Sequence, residues 1–297
     1  MTLIDVSARD GFQDEPLFVA TADKLDVARA LHAAGVRSIE ITSFVHPRWV
    51  PQLADADALV PDLPHGPHYS ALTFNVRGLE RALAAFDAGG FARGTWEATF
   101  VTSASPRHAQ ANNNRTLDET LEQFDAVAAL ARRERVALRA ALACAFVSPW
   151  PNEESIERAR VVEIASHFAA GGAANLTLAD TVGRADPRTV AGTVEAVARA
   201  TRLPLSLHLH DAHGYALANV YAGLEAGVRA FEGALAGLGG CPWAPGAPGN
   251  IDLERLAGFL KDCGYETGVD RERLATARER IRAALVVATP VGESLGV

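Results

Sequence analysis

Residues 175–211 read NLTLADTVGRADPRTVAGTVEAVARATRLPLSLHLHD. Two short runs, 175–179 and 205–209, alternate like strands. Between them, 187–201 repeats its valines at helical spacing, and Asp186-Pro187 opens that helix with proline in the first turn. A strand, a helix and a second strand in about 35 residues form a β-α-β unit, whose two strands lie parallel.

The same alternation runs along the rest of the chain. Strands are expected at 3–6, 36–41, 69–72, 95–101, 136–142, 175–179, 205–209 and 228–234. Helices are expected at 20–34, 117–132, 156–170, 187–201 and 217–226, with Thr21 and Asp23 at one entrance and Gly35 after one end. Eight strands alternating with helices, without a break in composition, predict an α/β fold: a single (β/α)8 TIM barrel over residues 1–297 with a C-terminal helical extension. An open doubly wound sheet is the competitor, but no Gly-x-Gly-x-x-Gly turn follows the first strand. The tail after about Leu285 carries few specifying signals.

Composition narrows the function. The 297 residues are 48% apolar and 22% charged, as in a protein with a large core, and the net charge of −8 speaks against a nucleic-acid partner. No apolar run reaches the roughly 18 residues of a membrane span, and with a strand-like run starting at Leu3 no targeting segment is expected. The three cysteines Cys144, Cys241 and Cys263 are scattered, which fits a reducing cytoplasm. Cys144 follows an apolar strand and is expected in the core; Cys263 ends a helix.

In such barrels the chemistry sits at the C-terminal ends of the strands. Polar residues gather there: Arg9 and Asp10, Glu40, Asp180, and the pair His208 and His210. In a strand, side chains two apart share a face, so both imidazoles point inward while Leu209 points outward. Two imidazoles and the carboxylate of Asp10 make a divalent-metal triad with open positions. Arg9 beside it can hold a carbonyl or enolate oxygen. The loop 237–250 holds five glycines and three prolines, and Gly239, Gly240 and Gly246 let it bend over a ligand as a lid. Cys241 rides on that loop, where a thiol can exchange a proton.

These segments carry a resemblance. Residues 6–15 (VSARDGFQDE), 39–45 (IEITSFV) with 47–51 (PRWVP), 178–183 (LADTVG), 208–219 and 237–250 together resemble the 3-hydroxy-3-methylglutaryl-CoA lyase family, in order and over nearly the whole chain. The resemblance implies a metal-dependent lyase that cleaves a 3-hydroxyacyl-CoA to acetyl-CoA and a keto product. It implies Asp10, His208, His210 and Asn250 as ligands of a divalent ion, Mg2+ or Mn2+. Arg9 then binds the thioester oxygen, Cys241 delivers the proton, and Gln13, Glu40, Ser43 and Asp180 line the substrate pocket. His208 and Asp180 are both candidates for the base. A homodimer is implied as well.

The departures from the family pattern concern the acyl pocket. Pro16 stands where a long side chain is usual, and 140–144 reads AALAC where the family has Gly-Tyr-Val-Ser-Cys, so that Ala141 replaces a tyrosine. The stretch 104–112 also differs. Other acyl groups, such as that of citramalyl-CoA, are therefore alternatives, as is a metal-dependent pyruvate aldolase or Claisen-type enzyme. A Schiff-base aldolase needs a lysine inside the barrel, and the two lysines, Lys24 and Lys261, fall in helices. A barrel without catalysis, serving as a binding subunit, is the reading from another class. Arg48, Arg107 and Arg115, expected in loops, are candidates to meet coenzyme A phosphates.

Overall fold

The computed structural model describes residues 1–152, 154–241, 244 and 247–290. Eight strands form its centre: β1 (Thr2–Asp5), β2 (Ser38–Ser43), β3 (His68–Leu72), β4 (Trp96–Ser103), β5 (Ala137–Ala143), β6 (Asn175–Asp180), β7 (Leu205–Leu209) and β8 (Ala230–Gly233). Each pairs in parallel with the next, and β8 returns to β1 through the register Thr2↔Ala230 to Asp5↔Gly233. The barrel is closed, so no edge is left open to pair with another chain.

Nine longer helices lie around it among the described residues: α1 (Thr21–Ala33), α2 (Val76–Ala88), α3 (Pro106–Asn113), α4 (Leu117–Glu134), α5 (Arg158–Gly171), α6 (Pro187–Thr201), α7 (Ala216–Glu225), α8 (Leu253–Asp262) and α9 (Arg271–Val287). Their starts are written in the sequence. Asp186 caps α6 by accepting from the Arg188 and Thr189 backbone N–H groups, and Thr116 with Glu119 forms a capping box on α4. Gly35 ends the turn after α1 at φ +86°, where an added Cβ would lie 2.4 Å from the Gly268 carbonyl oxygen.

The main apolar core lies between barrel and helices. Leu176, Leu178, Leu207 and Leu209 belong to it, so the outward residues of β6 and β7 face the helical ring. The barrel interior is polar instead. Arg139 donates to Glu97 at 2.8 Å and to Glu232 at 3.1 Å, and Thr177 donates to Glu232 at 2.9 Å. Such a buried ionic layer holds together because each charge has a partner; removing one leaves the other uncompensated.

The expected strands and helices all form, with ends displaced by a residue or two. Three departures matter. A π-helical turn, Ser7–Gly11, follows β1 directly. The segment around Arg107, expected as a loop, is helix α3, because Ser105 caps it through the His108 N–H and Pro106 fills the first turn. Past Leu285, α9 continues to Val287, and Thr289 and Pro290 pair antiparallel with Leu17 and Phe18. The last seven residues, 291–297, lie outside the described residues, as do Glu153, Pro242, Trp243, Pro245 and Gly246, the last being one of the expected bending points. No described helix is long and apolar enough to cross a membrane.

Asp5, at the end of β1, is fully buried and accepts hydrogen bonds from the Ser7 backbone at 3.0 Å and its hydroxyl at 2.7 Å. Burial pushes its carboxyl up to about 7. The unfolded chain ionises this group near pH 4 while the fold keeps the proton, so the group's contribution to stability is lost as pH rises from about 4 to about 7. Asp5→Asn removes that dependence. Its melting temperature is expected to gain relative to the parent at pH 8 and not at pH 5, as read by calorimetry.

Candidate active site

The mouth of the barrel, at the C-terminal strand ends, encloses a cavity of about 380 Å³. Arg9, Asp10, Gln13, Glu40, Ser43, His208, His210 and Cys241 all line it, from β2, β7 and the segments following β1, β7 and β8. The π-helical turn brings Arg9 and Asp10 there: Asp10 and Gly11 both donate to the Val6 carbonyl, which coils the chain back over the end of β1.

The geometry of a candidate metal site follows from hydrogen bonds behind the imidazoles. His208 Nδ1 lies 2.8 Å from Glu232 Oε2, and His210 Nδ1 lies 2.7 Å from the Pro248 carbonyl oxygen. Both of those partners accept, so both Nδ1 atoms carry the proton and both Nε2 atoms present lone pairs. The two Nε2 atoms are 3.0 Å apart, a spacing that two ring N–H groups pointing together would not tolerate. Ligand atoms of Asp10, His208 and His210 lie within 4.8 Å of one another, and all three residues are buried. Asn250 joins them. Its amide donates to Asp10 Oδ2 at 2.7 Å, while its carbonyl oxygen is buried without a hydrogen-bond partner among the described residues. Two imidazole lone pairs, a carboxylate and an orphaned amide oxygen fit a divalent cation.

Electrostatics agree. Burial alone would raise Asp10, but Arg9, His208 and His210 bring it down to about 2, so it is ionised. Burial and the neighbouring His208 lower His210 to about 4, which leaves it neutral and ready to ligate. His208 goes the other way: burial lowers it, but the hydrogen bond to Glu232 together with the negative charges of Glu232 and Asp10 raises it overall, so a cation must displace a proton from Nε2 in competition with those carboxylates. Arg9 reaches Glu40 through Nε at 2.5 Å and Asp10 through Nη1 at 2.5 Å. A guanidinium carries five N–H donors, so Arg9 can hold both carboxylates and still donate to a ligand oxygen.

Residues 1–281 match the HMGL-like family. The chain belongs to that family. Among its HMGL-like relatives, the hydroxymethylglutaryl-CoA lyase of Bacillus subtilis is 37% identical over 95% of this chain and 92% of the relative. The 3-hydroxy-3-isohexenylglutaryl-CoA/hydroxy-methylglutaryl-CoA lyase of Pseudomonas aeruginosa is 35% identical over 95% of this chain and 92% of its own length. The structure of an HMG-CoA lyase from Acinetobacter baumannii, in complex with coenzyme A and 3-methylmalate, aligns with a TM-score of 0.88 at 34% identity, covering 98% of this chain and 92% of that one.

Within this HMGL-like site, two expected residues stand off the cavity wall, Asn250, which reaches it through Asp10, and Asp180. Asp180 is buried and is not among the residues that line the cavity. Its carboxylate accepts the backbone N–H groups of Arg184 and Ala185 at 3.3 and 2.9 Å, and its carbonyl accepts the His210 N–H at 3.3 Å. It therefore holds the turn after β6 and the backbone of a proposed ligand. Among the arginines, Arg115 lines the cavity, Arg48 is exposed away from its wall, and Arg107 stacks on Trp150 at 4.2 Å. Both lysines sit in helices, Lys24 in α1 on Asp55 at 2.8 Å and Lys261 in α8, so no lysine lies inside the barrel. Cys144 is buried, as expected, and burial pushes its thiol up to about 12.

Glycine ties the Cys241 loop to the proposed ligands. At Gly239, with φ +96°, an added Cβ would lie 2.5 Å from Asn250 Nδ2 and 2.9 Å from Asp10 Oδ2. The loop backbone thus packs directly on those residues.

Sequence reasoning missed Glu232 and the ionic layer behind it. The signal was present: an acid at an inward position of an apolar strand, as Glu97 is in β4. Glu232 sets the His208 tautomer, and His208 with Arg139 brings its carboxyl, which burial would raise, down to about 2. Glu232→Gln is expected to weaken divalent-metal binding about 10- to 100-fold, as removal of such a supporting partner does elsewhere. Isothermal titration with Mn2+ measures it; unchanged affinity would mean that the ring is held without the carboxylate.

Proposed function

We propose that this chain is a divalent-metal-dependent carbon–carbon lyase that cleaves a 3-hydroxyacyl-CoA, such as 3-hydroxy-3-methylglutaryl-CoA, into acetyl-CoA and a keto product. The observation that carries the reading is the convergence of Asp10, His208 and His210 with Arg9 and Cys241 around one cavity, with Asn250 hydrogen-bonded to Asp10 behind its wall, in a chain of the HMGL-like family. All of residues 1–297 then form one lyase domain.

A divalent cation held by Asp10, His208, His210 and Asn250 supplies Lewis acidity to the substrate's oxygens; Mg2+ and Mn2+ suit the mixed oxygen and nitrogen donors. Arg9 binds the thioester oxygen and stabilises the negative charge that develops there as the bond between the second and third carbons breaks. Cys241 delivers a proton to the second carbon. Gln13, Glu40 and Ser43 orient the acyl group, Glu40 also by fixing the Arg9 fork. Asp180 acts at one remove, through the turn after β6 and the backbone of His210. Arg115 is the cavity arginine best placed for a coenzyme A phosphate. A homodimer is the assembly the family resemblance supports, and the scattered cysteines suit a reducing cytoplasm.

A second reading, of substrate rather than reaction, has its own observation. Leu72, Phe74, Val101, Ala141, Ala143 and Ala179 give the cavity an apolar wall, and Ala141 leaves open the volume of a larger ring. This favours acyl groups with a 3-substituent larger than methyl. A coupled assay of acetyl-CoA release tests both, over 3-hydroxy-3-methylglutaryl-CoA, citramalyl-CoA and longer-chain analogues. Cleavage of at least one is expected with metal present, and no cleavage of any would sink the lyase reading.

A further inference from the structure

Cys241 does not meet the cavity alone. His108 Nε2, on α3, lies 3.4 Å from its sulfur. Both residues line the cavity, but they come from opposite parts of the chain: the loop after β8 and the helix after β4. His108 is only 1% exposed. It is rigidly placed, since its own backbone N–H donates to Ser105 Oγ at 3.0 Å in the cap of α3.

The ring's other nitrogen fixes its tautomer. Nδ1 is buried and has no hydrogen-bond partner among the described residues. A buried N–H without an acceptor costs more than a lone pair without a donor, so the proton resides on Nε2, facing the sulfur. Burial lowers His108 to about 4, against a smaller opposing effect of Glu154, and the ring is neutral at working pH. A neutral Nε2–H is a weak partner for a thiol and a much stronger one for a thiolate.

We propose that His108 is a positioning residue for Cys241, donating Nε2–H to its sulfur and holding the thiolate that forms when the thiol gives up its proton. This rests on the reading of Cys241 as proton donor. The step balances simply. The S–H bond breaks and a C–H bond forms at the second carbon of the acetyl-CoA enolate. The S–H electron pair stays on sulfur, and solvent restores the thiol proton between turnovers. His108 keeps its own proton throughout and lowers the cost of a charge in a half-buried place. The stretch 104–112, which departs from the family pattern, thereby gains a role in this chain.

The test uses the metal-loaded full-length enzyme and the variants His108→Phe and His108→Gln. Phenylalanine keeps the ring's bulk without a donor, whereas glutamine restores an N–H near the position of Nε2. Alkylation of Cys241 by iodoacetamide is followed against pH by peptide-resolved mass spectrometry, alongside kcat and KM for 3-hydroxy-3-methylglutaryl-CoA. The groups facing the pair, Glu154 toward His108 and Asp14 beside Gly240, are left unchanged. In His108→Phe the apparent thiol pKa is expected to rise by about one unit and kcat to fall about tenfold with KM little changed, the scale of one hydrogen bond to a charged group. His108→Gln is expected to recover most of both. An unchanged alkylation profile in a folded phenylalanine variant would overturn the proposal. Should that variant not fold, His108→Asn, too short to reach the sulfur, gives the same contrast against glutamine. Near-normal turnover by Cys241→Ser would instead overturn the donor reading; the alkylation profile needs no turnover, so the two failures are distinguishable.

Discussion

Replacing Arg9 with glutamine is expected to lower kcat about 100- to 1000-fold, the usual effect of deleting one preorganised stabiliser of developing negative charge. The geometry explains why the loss falls on the chemical step. Arg9 is held on two sides, by Glu40 and Asp10 at 2.5 Å each, so it cannot swing to follow the substrate. Burial would lower its basicity, and those two carboxylates more than offset this, so it remains charged through the reaction. A fixed cation contributes little while the thioester is neutral and much once an enolate forms. Arg9→Lys is expected to recover only part of the loss, because an ammonium cannot hold two carboxylates and a ligand oxygen with a planar fork. Steady-state kinetics with a melting curve for each variant decides it. A fall in kcat at unchanged melting temperature supports the role, and a full-rate glutamine variant removes it.

Asp10→Asn and His210→Gln are expected to abolish stoichiometric metal binding and with it all detectable turnover. Each removes one donor from a set in which every member is already oriented: Asp10 by Arg9 and the Asn250 amide, His210 by the Pro248 carbonyl. Asp10 is also the only carboxylate in the cluster, and its ionisation at neutral pH, with a pKa of about 2, supplies the charge that offsets a divalent ion. Metal content after gel filtration, by mass spectrometry, gives the readout. Retention of one ion per chain in both variants would place the cation elsewhere.

How much of this was written in the sequence depends on which interactions decide each feature. The barrel was legible because its strands and helices carry two different periods, and the bounds of Asn175–Asp180 and Leu205–Leu209 follow from where those periods change. His208 and His210 were legible from strand alternation alone. The π-helical turn at Ser7–Gly11 was not, since its cause is a carbonyl, Val6, that accepts from two residues at once. Glu232 and Arg139 were hidden for another reason: their meaning comes from meeting across the barrel interior, 93 positions apart in sequence. Asp180 shows the converse. A carboxylate at a strand end suggests catalysis, but here backbone N–H groups of its own turn reach it first. The contact between His108 and Cys241 spans 133 positions and no local pattern announces it.

The most direct measurement of the central claim is acetyl-CoA release from 3-hydroxy-3-methylglutaryl-CoA and its larger 3-substituted analogues by enzyme stripped with a chelator, before and after Mg2+ or Mn2+ is restored. The account predicts no release from the stripped enzyme, and recovery on addition of either ion with acetyl-CoA and the keto product formed in equal amounts. Equal release with and without metal, or none under any condition, would contradict it.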